Sequence, residues 1–205
     1  SPSLAQKSKA KEDVKKTIDS LTQDLKKQEG LIISYSKDNK IYFEIGSDLL
    51  DKDLLMVTRF VQFPANFQAY QNAGSKTSEQ LIHFSKKGTQ IVLTQKSYVN
   101  IADQEDPIAQ SVAQNNFPPI LASFSIKNKE TDRFLIDVSS YFNSDSPGFN
   151  ILRASQKKQF GIGSVDTKRS FIDSVKSFPE NVEIRHTLTY STSKAPRSNR
   201  TQTLS

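Results

Sequence analysis

The sequence predicts an α+β fold, mainly an antiparallel β-sheet built from successive hairpins, with an N-terminal helix and two or three short helices. Three observations predict it. Three pairs of short apolar runs are each joined by a short polar connection: Leu31–Ser36 with Ile41–Ile45, Gln80–Phe84 with Gln90–Lys96, and Ile120–Lys127 with Arg133–Val138. Two stretches alternate strictly, with Ile120, Ala122, Phe124 and Ile126 on one face and Val182, Ile184, His186, Leu188 and Tyr190 on another. Against these stands one amphipathic helical stripe, Val14, Ile18, Leu21 and Leu25, at spacings of four, three and four.

Taken in order, that stripe makes residues 1–29 a polar segment leading into a helix whose narrow face docks on the sheet, with Gly30 as its C-terminal cap. The first hairpin turns at Lys37-Asp38-Asn39-Lys40, where Asp and Asn tolerate left-handed geometry. Ser47–Asp53 is long enough for one helical turn. Leu54–Phe63 then runs apolar on nearly every residue up to Pro64, which predicts a strand buried on both faces at the centre of a sheet. Arg59 interrupts it and, if buried, must find a carboxylate or carbonyl partner, so it is read as a buried structural charge.

Residues 65–76 form a polar loop around Phe67 and Tyr70, the candidate ligand-contact residues, for which burial beneath the loop is the competing fate. Gly88 supplies the turn of the second hairpin. Asp106-Pro107 starts a helix carrying Ile108 and Val112, which ends near Asn115-Asn116. After the third hairpin, Ser139–Ser146 is a short helical segment broken by Pro147-Gly148. Asp166 is read as the cap of a helix over residues 167–177 with Phe171, Ile172 and Val175 inward, followed by the last strand, Val182–Thr192. The resulting organisation is residues 1–29, an α+β domain over 30–193 with a sub-boundary near 64–78, and a flexible or truncated tail over 194–205.

Composition removes several function classes. The net charge of +6 sits at the ends: residues 1–29 carry seven Lys against five acids, Lys194, Arg197 and Arg200 add three, and residues 30–193 retain only +1. A nucleic-acid face is not predicted. With no Cys there is neither a disulfide nor a thiolate site. No apolar run is long enough for a membrane span, and Ser1 in place of Met reads as a trimmed or mature N-terminus whose signal peptide would lie outside the chain. His83 and His186 both fall in strand-like runs without an HExxH helix, so no metal ligands are assigned. There is no GxSxG elbow, and the two glycines of Phe160-Gly161-Ile162-Gly163 are not a phosphate-binding fingerprint. No catalytic residues are assigned.

Three blocks carry a family resemblance. They are Gly30–Arg59, Pro119–Phe124, and Asp166 with Arg169–Ile172, Phe178–Ile184 and Leu188–Tyr190. In order and spacing they resemble the N-terminal region of large bacterial zinc-dependent metalloproteases of the HExxH zincin type, where two adjoining segments of unknown function precede the catalytic domain. No stretch of this chain matches that family's HExxH helix or third His, so no catalytic residue carries over. The resemblance implies a secreted, periplasmic or outer-envelope-associated protein whose partner is a C-terminal metalloprotease domain of the same polypeptide. Zinc is expected only in that domain, with no cofactor in this chain. The expected role is scaffold, pro-segment-like cover or region for binding a peptide or protein substrate. The alternative is a free-standing peptide- or glycan-binding domain.

Overall fold

The structure, a computed structural model, describes residues 17–62, 74, 76–96, 118–150, 152, 154–193 and 203–204. The chain begins with helix α1 (Ile18–Thr22), capped by Thr17, whose side chain accepts from the Ser20 amide. Strands β1 (Lys26–Gln28), β2 (Ile33–Lys37) and β3 (Lys40–Gly46) form a meander. A 3₁₀ turn at Ser47–Leu49 leads to β4 (Leu54–Arg59). Next come β5 (Lys76–Lys87), β6 (Gln90–Lys96), β7 (Ile120–Glu130) and β8 (Arg133–Asp137). Helices α2 (Ser139–Phe142) and α3 (Ala154–Phe160) precede β9 (Ile162–Val165), a 3₁₀ turn at Thr167–Arg169, β10 (Phe171–Ser177), β11 (Val182–Thr192) and β12 (Thr203–Leu204).

Eight strands make one antiparallel sheet in the order β1-β2-β3-β8-β7-β6-β5-β4, and a second sheet runs β10-β11-β12 with β9 also paired to β11. The three hairpins form as the sequence predicts. Their tight turns place Asp38, Gly88 and Thr131 at positive φ, a conformation that Asp and Gly adopt at low cost.

The large sheet curls. The Asp51 amide donates to the Phe84 carbonyl in β5, four strand spacings from β3, or about 19 Å across a flat sheet. The link from Gly46 to Asp51 includes the 3₁₀ turn and spans only about 13 Å. Rolling the sheet closes that gap and gathers the inward residues Ile41, Phe43, Ile45, Phe84, Ile91, Phe134 and Ile136 into one core. The second sheet covers the mouth of the roll with Ile172 and Val175. Asn39, in the first hairpin turn, fastens it: its amide donates to the Ser170 carbonyl and its carbonyl accepts from the Ile172 amide, both at 2.9 Å.

On the outer face, α1 lays Ile18 against Tyr35 and the fully buried Leu135, with Leu21 and Leu25 alongside. The helix carries Ile18 and Leu21 of the predicted stripe; it ends at Thr22, so Leu25 packs from the segment before β1, and Val14 lies outside the described residues. Buried Glu44 accepts from the Tyr35 hydroxyl at 2.6 Å and pairs with Arg133 at 2.8 Å, which satisfies the carboxylate beneath the helix.

Four sequence expectations are corrected. Leu54–Arg59 is an edge strand, not a central one, with half-buried and exposed residues alternating along it. Arg59 is accordingly exposed and makes a long hydrogen bond, 3.4 Å, to the Gly74 carbonyl. It is not a buried charge. Residues 167–177 are a 3₁₀ turn and a strand, because a register shift between Ile172 and Ser174 puts Ile172 and Val175 on one face at a spacing that also fits a helix. Gly30 caps no helix; a Cβ there would lie 2.5 Å from the Phe178 carbonyl oxygen, so glycine permits a close backbone approach. Thr203 and Leu204 form β12, which pairs with Leu188 and Thr189. The helix expected after Asp106-Pro107 lies outside the described residues, while α3 appears where none was expected.

Candidate functional site

A cavity of about 520 Å³ opens between β4, the segment leading into β2 and the second sheet. Leu31 and Ile32, leading into β2, line one side, and all six residues of β4 with Val61 line the other. Alternating residues of β11, from Val182 to Tyr190, form the facing wall. Tyr141, Phe142 and Phe149 complete the floor. This volume falls in the range of ligand pockets, about 300–1,000 Å³.

The floor is rigid for identifiable reasons. Phe142 and Phe149 stack with ring centroids 5.8 Å apart, and Tyr141 meets Phe149 edge-on at 5.0 Å. Tyr141 donates to the Pro147 carbonyl at 2.7 Å, and burial pushes its phenol up to about 12, so it stays protonated. Gly148 follows at φ 100 and leaves room for Met56: a Cβ there would sit 2.8 Å from the Met56 methyl. Its carbonyl accepts from Ser78 and Gln80 of β5, tying the floor to the strand beside β4.

His186 is the titratable side chain set most closely against this floor. Its ring packs edge-on against Phe149 at 5.1 Å, and Nδ1 meets the Phe142 carbonyl. Burial holds its pKa below the ordinary value, outweighing that carbonyl and the Asp173 carboxylate, which both favour the cation. At the far end, Tyr190 donates to Asp145 at 3.1 Å and Asp145 pairs with Lys157, whose ammonium also lies over the Tyr190 ring. Burial, then the Asp145 charge, pushes the Tyr190 phenol upward.

These groups hold one another in place; none is paired as nucleophile with base. His83 does not line the cavity: it faces Thr94 across β5 and β6, with Nε2 2.8 Å from the hydroxyl, a cross-strand pair of the structural kind. Among the described residues, no group of three or more His, Asp or Glu is placed to hold a metal ion. Phe67 and Tyr70 lie outside the described residues. Sequence reasoning did not find the cavity, although the inward face of β11 and the aromatics flanking Pro147-Gly148 were visible separately.

Fold and site together define a mostly antiparallel β protein that offers an apolar cavity beside a sheet edge with no second partner strand among the described residues. The chain belongs to the family described as domain of unknown function DUF5117, whose model matches residues 74–205, and a second model, domain of unknown function DUF5118, matches residues 15–63. No curated protein and no solved structure matches it. The matches meet the fold in an unexpected way. The segment matching DUF5118 holds β1 to β4 and therefore both edges of the eight-stranded sheet, while the segment matching DUF5117 supplies the four strands between β3 and β4 and the second sheet. Neither match contains the complete eight-stranded sheet.

Proposed function

We propose that this chain is a non-catalytic binding module of a secreted or envelope-associated bacterial protein similar to zinc metalloproteases, and that it holds peptide or protein substrate for a C-terminal protease domain. The observation that carries the binding role is the apolar cavity beside β4. The protease connection rests on the resemblance of the blocks around Gly30–Arg59, Pro119–Phe124 and Asp166–Tyr190 and on the two adjoining matched segments of unknown function. On this reading zinc and the hydrolytic groups belong to the partner domain. The apolar lining favours a peptide over a glycan, whose hydroxyls would be left without partners there. A free-standing peptide-binding domain would use the same cavity.

The test compares residues 1–205 with the longer polypeptide for casein hydrolysis and for zinc by atomic absorption. The reading expects activity and stoichiometric zinc in the longer protein and neither in residues 1–205. Hydrolysis with stoichiometric zinc in residues 1–205 alone would falsify it.

A further inference from the structure

We propose that the open edge of β4 takes an extended peptide as an added strand, with alternate apolar side chains entering the cavity and an acidic residue meeting Arg59. This rests on the binding-module reading above and specifies its ligand. The occupant is a peptide of another chain, apolar at every second position and acidic at one end.

Four observations lead there. First, β4 pairs with β5 on one side and with no strand among the described residues on the other, so it presents a row of backbone donors and acceptors. Second, all six of its residues line the cavity. Consecutive strand residues point to opposite faces, so a cavity that touches all of them runs along the backbone edge itself. An apolar wall facing backbone polar groups is completed best by a ligand carrying its own backbone, which is how strand addition gains affinity, with side-chain pockets adding specificity.

Third, along Leu54 to Thr58 the edge lacks the charge and proline that normally prevent such pairing, the register shift and the charge of Arg59 coming only at its end. Leu54 to Thr58 contain neither Pro nor charge, and Leu55 is 55% exposed. Fourth, the charges on the lining are unbalanced: Arg59 and Arg185 are both exposed and make no ion pair among the described residues, against Glu180 alone. An acidic peptide end complements that rim.

The probe is a fluorescein-labelled nonapeptide alternating valine with threonine and ending in aspartate, titrated with the full chain by fluorescence anisotropy. A second peptide carries N-methyl groups on the backbone amides that would face β4. Expected are saturable binding of the first peptide, at least about tenfold weaker binding of the second, and a similar loss in Val57→Lys, whose thermal midpoint stays unchanged. Arg59→Glu should weaken the aspartate peptide and favour one ending in lysine. Equal binding of the N-methylated peptide overturns strand addition and leaves the binding-module reading standing. Failure of every peptide to bind, with palmitate displacing a cavity-bound naphthalene dye, overturns both. A dimer in sedimentation that Val57→Lys dissolves assigns the edge to a second copy and overturns the peptide.

Discussion

The two edges of the large sheet are built differently, although both come from the segment matching DUF5118. β1 is three residues long, Lys26-Lys27-Gln28, with Lys27 paired to Glu29 at 3.0 Å and the Gln28 side chain accepting from the Ser177 amide. It is short, charged and tied to the second sheet. β4 is twice as long and uncharged up to its final residue, and it borders a cavity. The difference teaches that one edge is protected by its own sequence while the other lacks that protection along Leu54–Thr58 and has no second partner strand among the described residues, the expected arrangement when only one of them has a binding role. Between the edges, β3 supplies the interior on which both depend.

The largest effect should come from that shared interior. Ile45 is fully buried in the main core, and Ile45→Ala should cost about 2–5 kcal/mol in urea denaturation, loosening both edges together. If it costs under about 1 kcal/mol, the edges do not rest on a common core. A smaller loss, about 1–3 kcal/mol, is expected from Gly30→Ala, because its Cβ would meet the Phe178 backbone next to β1. That change should spare peptide binding at β4 in the folded fraction.

A pH effect belongs to the β4 side. His186 has a folded pKa below its ordinary value near 6.5, so above that value it is neutral in both states and its contribution is complete. As pH falls through about 6.5 the unfolded chain takes the proton first and stability declines, although Asp173 and the Phe142 carbonyl moderate the loss. Denaturation midpoints for wild type and His186→Gln should therefore converge on acidification, and parallel curves would remove His186 as the cause. The smallest effect is that of Leu55→Ala, about 0.5 kcal/mol or less by thermal unfolding, since the side chain is mostly in water.

How much of this was legible in the sequence depended on whether the signal was local. Asp38, Gly88 and the alternation of β7 and β11 indicate the hairpins and most inward residues, because turn chemistry and the two-residue period of a strand are properties of neighbouring residues; a register shift at the start of β7 breaks the pattern, leaving Ile120 exposed and Leu121 buried. The position of β4 was not legible. Its apolar composition, taken as a sign of burial on both faces, comes instead from an edge whose partner strand is set by the roll of a whole sheet. Arg59 was misplaced with it, and residues 171–177 were read as helix because a bulge reproduces helical spacing. The cavity needed β2, β4 and β11 brought together from distant parts of the chain, which no local pattern records.

The contrast between the edges is tested most directly by amide hydrogen exchange with and without the valine–threonine peptide. Strand addition predicts that protection rises at least about tenfold at outward-facing amides of β4 while β1 and β3 stay unchanged. Unchanged exchange in β4 at saturating peptide, or a rise confined to β1, would contradict it.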